Sequence, residues 1–134
     1  TTRPTVSDVL AYAPVRFLYG GVTEELMLRF GLMSALAFAG WRVTGRRADG
    51  PRPAVVWVAI VVSAVLFGLG HLPALAQSVA LTPALVARTV LLNGVAGVLF
   101  GWLYWRRSLE AAMVAHASFH VPLVVLSFAQ VASV

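Results

Sequence analysis

Long apolar runs, broken by short arginine-bearing segments, constrain this chain more than any other feature. The stretch 54–71, AVVWVAIVVSAVLFGLGH, holds no Asp, Glu, Lys or Arg, and 83–105, PALVARTVLLNGVAGVLFGWLYW, holds only Arg88. A helix that crosses a bilayer needs about 20 mostly apolar residues. The whole chain is 60% hydrophobic and 11% charged, with a mean hydropathy of +0.86, whereas a soluble domain carries about 25% charged residues. That is too little charge to coat a water-facing globule. With short loops, 134 residues accommodate roughly four or five spans. The expected class is therefore all-α: a polytopic transmembrane bundle of about four helices, preceded by a short interfacial or tilted helix. The β-branched residues of 54–71 do not argue for a strand, because an open sheet edge is not tolerated in lipid. A soluble enzyme, a disordered tail and a disulfide scaffold are excluded. The absence of cysteine also removes thiolate zinc sites, Cys nucleophiles and Cys lipidation.

The apolar pattern divides the chain as follows. Residues 5–20 contain Pro14 and read as a helix lying in the interface or entering the membrane at a tilt. Gly20-Gly21 is expected to break it, with Thr23 as an N-cap. Residues 22–43 form the first span, 54–71 the second, 83–105 the third and 109–133 the fourth. The segment 44–53 is a polar loop, and 72–82, with Pro73, is a connector. Pro83 suits a first helical turn, and Ser108 suits an N-cap with Glu110 near the positive end of the dipole.

The net charge of +5 comes with no lysine at all. These arginines bracket apolar segments, so they read as orienting loop charges rather than as a nucleic-acid footprint. Arg42, Arg46, Arg47 and Arg52 lie around one loop and Arg106-Arg107 in another. Four alternating spans put both loops on one side, which the positive-inside rule makes cytoplasmic. The expected location is the cell membrane. The chain opens on Thr without a signal-peptide pattern, so it is read as a processed product or fragment, a single membrane-embedded core over 1–134.

An ionisable residue at the centre of a membrane helix costs about 2.5–3.5 kcal/mol on insertion scales, and such groups are functional by default. Here they cluster. In Glu24-Glu25-Leu26-Met27-Leu28-Arg29, four residues advance a helix by about 400°, so Glu25 and Arg29 share a face and can pair. Glu24 points about 100° away, without that local partner, and can serve as a general base. In Phe67-Gly68-Leu69-Gly70-His71, Phe67 and His71 share a face, and the glycines admit a close neighbour. In His116-Ala117-Ser118-Phe119-His120, both imidazoles lie on one face, a spacing that suits two metal ligands or two oxyanion donors. Arg88 and Asn93 read as interhelical glue. Each cluster alone has a structural explanation, such as a snorkelling Arg29 or an interfacial His71. Together, on different spans, they describe one convergent polar centre.

In this order, the motifs resemble the CAAX protease and bacteriocin-processing family (CPBP or Abi), intramembrane glutamic endopeptidases that include the Ras-converting CAAX endopeptidases. The family patterns EExxxR, FxxxH and HxxxN are met by Glu24–Arg29, Phe67–His71 and His116–His120, from about Val22 to His120. The resemblance implies that Glu24 activates a hydrolytic water with help from His71. It implies that Glu25 pairs with Arg29, that Phe67 packs beside the site, and that His116 and the residue four places on stabilise an oxyanion. The sequence departs from the family in two ways. His120 stands where the family commonly has Asn, and the usual helices before the first motif are nearly absent.

The expected function is therefore an intramembrane endopeptidase acting on a membrane-associated or prenylated peptide, without a cofactor. Its partners would be that substrate and the bilayer. Two other readings stand beside it. One is a non-catalytic membrane protein, a bacteriocin self-immunity or regulatory factor. The other is a metal-dependent enzyme with Glu24, His71, His116 and His120 as a ligand set for Zn²⁺.

Overall fold

The computed structural model describes residues 5–132. Its elements are α1 (Val6–Val43), α2 (Pro53–Gly70), α3 (Leu72–Ala76), α4 (Pro83–Arg106) and α5 (Leu109–Ala132). Among the described residues there is no strand. The stretches Val6–Val43, Pro53–Ala76, Pro83–Arg106 and Leu109–Val131 are each long and apolar enough to cross a membrane. The chain is an all-α bundle of four candidate spans.

The first helix differs from the expected pattern. Gly20-Gly21 does not break it, and Thr23 caps nothing. Thr5 is the N-cap: its hydroxyl accepts from the Asp8 amide at 3.3 Å, while its own amide donates to the Asp8 carboxylate at 2.7 Å, a capping box. From there the chain stays helical to Val43. In water two adjacent glycines favour other conformations. In lipid, every backbone group must find a partner within the protein, which keeps them helical. At ~1.5 Å per residue, 38 residues reach up to about 57 Å. That exceeds the ~30 Å hydrocarbon core, so α1 must tilt or project beyond one face.

The middle of α1 is wound more loosely than an α-helix. Two π-helical segments, Arg16–Glu24 and Leu26–Met33, flank Glu25, starting two residues after Pro14, which cannot donate a backbone bond. The Thr23 and Ser34 hydroxyls reach the carbonyls five residues back, Leu18 and Arg29, at 3.4 and 3.2 Å. Departures of this kind concentrate at functional sites, and here they enclose Glu24, Glu25 and Arg29.

Helices α2 and α4 form the most extensive pair. Gly97 and Gly101 of α4 make it possible: a Cβ on Gly97 would lie 3.0 Å from the Ala64 Cα, and one on Gly101 3.1 Å from Ile60. Small residues four apart let two backbones meet. One apolar cluster, Met33, Val56, Ala59 and Ile60, ties α1 to α2. The other, Phe67, Phe100 and Ala112, ties α2, α4 and α5 together and forms the floor of the polar centre. Pro83 takes the first turn of α4 behind a Thr82 cap. Ser108 accepts from the Ala111 amide at 3.2 Å at the start of α5.

Candidate active site

The polar residues of three spans meet around Phe67. Glu25 and Arg29, one turn apart on α1, are both fully buried, with Arg29 Nε 3.2 Å from Glu25 Oε2. Two charges are tolerable in such a place when paired and hydrogen-bonded. The guanidinium also donates from Nη2 to the Gly97 carbonyl at 3.0 Å and lies over the rings of Phe67 and Phe100 at 4.9 and 5.4 Å. Arg29 is therefore not snorkelling to an interface. The other oxygen of Glu25 reaches across to α5, where Oε1 lies 2.8 Å from His116 Nδ1. A carboxylate held by Arg29 is an acceptor, so His116 Nδ1 carries the hydrogen.

That bond orients His116. Its ring is buried, stacked on Phe100 with centroids 4.7 Å apart and met edge-on by Phe67 at 5.4 Å. Its second nitrogen, Nε2, lies 3.7 Å from Glu24 Oε2. Glu24 thus has a partner after all, on α5 rather than on its own helix, and it is only partly buried. The result is a continuous chain, Arg29–Glu25–His116–Glu24, that begins sealed in the core and ends at a cavity wall.

His71 sits at the junction of α2 and α3. Its Nδ1 is 2.8 Å from the Phe67 carbonyl. A carbonyl can only accept, so Nδ1 donates and Nε2 of the neutral ring keeps its lone pair. Phe67 meets His71 edge-on at 4.7 Å. Glu24 and His71 line one cavity of about 190 Å³. His71 also lines a second cavity of about 300 Å³, together with Phe67, His116 and His120. All four polar candidates therefore converge about one aromatic ring.

His120 is stacked on His116 with centroids 5.1 Å apart. Both of its nitrogens are shielded and without a hydrogen-bond partner. Its ring extends to α1, where a Cβ on Gly20 would lie 2.3 Å from Nε2. On Gly21 a Cβ would lie 2.9 Å from the Ala117 Cβ. The glycine pair is a contact surface for α5, not a hinge. Gly68 plays the same part toward Val90 of α4, whereas Gly70 faces open space. Arg88 and Asn93 do not glue helices: Arg88 is exposed, and Asn93 donates to the Thr89 carbonyl of its own helix at 2.9 Å. Among the described residues, no three His, Asp or Glu side chains are grouped so as to hold a metal ion.

Several participants were missed by reasoning from spacing. Phe100 gave no local signal beyond being aromatic. The Gly97 carbonyl could have been suspected, because Gly97 and Gly101 are spaced for close packing. The Glu25–His116 bond joins residues far apart in the chain, and no periodicity reports it.

A protein-family model described as type II CAAX prenyl endopeptidase, Rce1-like, matches residues 6–121, a stretch that contains all three motifs. No curated protein and no solved structure matches the chain.

Proposed function

The chain belongs to the Rce1-like family of type II CAAX prenyl endopeptidases, and from that premise we propose that it cleaves a membrane-associated, prenylated peptide with a water activated by Glu24. CAAX proteases are peptide hydrolases that work at a bilayer, in keeping with the four candidate spans. The observation that carries the finer reading is the convergence of Glu24 and His71 on one cavity, with His71 Nδ1 already committed to the Phe67 carbonyl. The free lone pair on His71 Nε2 and the Glu24 carboxylate are two acceptors for the two hydrogens of one water. Held by both, the water presents its oxygen to a substrate carbonyl, Glu24 takes a proton as the carbon–oxygen bond forms, and it gives that proton to the leaving amine as the carbon–nitrogen bond breaks. Positioned general bases contribute about 10²–10⁴ in rate.

On this reading, His116 and His120 are on the side where the carbonyl oxygen develops charge. Glu25 holds His116 by Nδ1, so Nε2 is the nitrogen left for the reaction. It donates to an oxyanion when the ring carries both protons. His120 backs it by stacking. Arg29 and Phe67 hold this arrangement from behind, and the chemistry so described uses only side chains of the protein.

The test is cleavage of a prenylated fluorogenic peptide in liposomes by wild type and Glu24→Gln, each with and without chelator. Hydrolysis by wild type alone, unaffected by chelator, supports the reading. Equal turnover by both proteins removes Glu24 from the chemistry. Loss of turnover with chelator, restored by Zn²⁺, replaces the glutamate-activated reaction with a metal-dependent one. No turnover by either protein favours a non-catalytic role.

A further inference from the structure

The larger cavity has one polar group that no motif accounts for. Its wall is formed by apolar side chains such as Leu92, Ala96, Phe119 and Leu123, by the imidazoles, and by Asn93. Asn93 is half-buried and gives one N–H to the Thr89 carbonyl at 2.9 Å. A carboxamide has two N–H donors and a carbonyl with two lone pairs. One donor and the whole acceptor therefore remain for the cavity. Leucine would fill such a wall without leaving polar valences unmatched, and unmatched valences are unfavourable in an apolar setting. Asn93, Ala96 and Phe100 are three and seven residues apart, so they lie along one face of α4. That face leads from Asn93 to the ring on which His116 is stacked.

Each neighbouring imidazole has a nitrogen that is committed or shielded. His116 Nδ1 belongs to Glu25 and His71 Nδ1 to the Phe67 carbonyl. Both His120 nitrogens are shielded, with Nε2 pressed toward Gly20. Asn93 is thus the group in this wall that offers a donor and an acceptor side by side. A peptide group has the complementary pair.

We propose that Asn93 is a substrate-positioning residue, holding one backbone amide of the bound peptide beside the scissile bond. Its Oδ1 accepts the substrate N–H while its remaining Nδ2 hydrogen is donated to a substrate carbonyl, and the apolar wall around it takes substrate side chains. The inference rests on the peptidase reading for its ligand, but it concerns binding and not the chemical step.

The experiment separates the two. A prenylated peptide is bound to the Glu24→Gln protein in nanodiscs, which on the proposed mechanism leaves it intact. Each of the two amides flanking the scissile bond is then replaced in turn by an ester, which removes one N–H. Asn93→Leu is expected to weaken binding about tenfold, the scale of one or two net hydrogen bonds. One of the ester peptides should bind about fivefold to tenfold more weakly to protein carrying Asn93, and no more weakly to the Asn93→Leu protein. Asn93→Gln, which keeps both groups on a longer stem, should recover part of the loss. A purely structural Asn93 would shift all peptides alike, and equal ester penalties in both proteins overturn the proposal. So does unchanged affinity on Asn93→Leu, or no binding of the peptide at all. Coupling without cleavage by wild type sinks the enzymatic reading and leaves the Asn93 contact standing. Cleavage without coupling does the reverse.

Discussion

Glu24 and Glu25 are neighbours in the chain, yet they belong to two different regions. Glu25 is fully buried, held by Arg29 on one oxygen and His116 on the other. Glu24 opens onto a cavity, with His116 Nε2 at 3.7 Å. One step along a helix turns a side chain by about 100°, and here that step separates a sealed knot from a reaction surface. A charge inside the knot is matched and dry, so its value lies in fixing His116. A carboxylate at the cavity wall retains lone pairs for water. Substitutions should therefore sort by region, those in the knot acting on folding and those at the cavity acting on turnover.

The largest effect is expected from breaking the knot. Arg29→Ala strips Glu25 of its buried counter-charge, and removing one partner of such a pair costs about 3–5 kcal/mol. Thermal unfolding of purified protein in detergent should show a large drop, with activity lost alongside. Melting like that of wild type would mean that the knot is not what holds α1, α4 and α5 together.

Next is the cavity side of the same motif. Glu24→Gln nearly preserves shape and removes the base, so turnover of a prenylated peptide should fall by about 10²–10⁴. Thermal stability should stay close to that of wild type, because Glu24 is only partly buried. A loss of stability comparable to that of Arg29→Ala would erase the distinction between the two carboxylates.

A smaller effect is expected on the far side of His116. His120→Ala removes the ring stacked on His116 and should lose part of the activity, while His120→Asn, which keeps a planar group of shorter reach, should lose less. The loss should stay below the factor of about 10²–10³ in kcat typical of removing an oxyanion donor itself, because the His120 nitrogens are shielded. Measuring bound metal on the same samples adds a second axis. If His120 were a metal ligand, Asn would be nearly as damaging as Ala and would carry less metal. Equal turnover in all three proteins would mean that His116 keeps its place without the stacked ring.

Much of this arrangement was legible in the sequence because its signals are local. The four-residue spacings of Glu25 with Arg29, Phe67 with His71 and His116 with His120 each place two groups on one helix face. The apolar runs between them announce the spans. The contacts between helices were not legible in that way. Glu25 meets His116, and Arg29 meets the Gly97 carbonyl, only once four helices have packed. Gly20-Gly21 was misread as a break for a related reason. Helix propensity measured in water weighs backbone entropy and exposure to solvent, while in lipid the demand for internal hydrogen bonds overrides it. What the two glycines supply is space for α5.

That space offers the subtlest break in the comparison, because Gly20 meets the cavity side through His120. A Cβ at position 20 would lie 2.3 Å from His120 Nε2, closer than any real contact. The imidazole cannot yield freely, since it is stacked on His116 and meets Phe17 edge-on. Gly20→Ala should therefore push the ring off His116 and cost about 1–3 kcal/mol, the usual range for overpacking. Asparagine has a shorter side chain than histidine, so in the His120→Asn background the same Gly20→Ala change should cost much less. The coupling between the two substitutions should reach at least about 1 kcal/mol, within the range seen for residues in contact. Thermal unfolding of the wild type, both single variants and the double variant measures it. Additive effects would mean that the ring finds another position at no cost, and that Gly20 serves only the backbone of α1. Strong coupling would tie the choice of histidine at position 120 to the glycine that accommodates it.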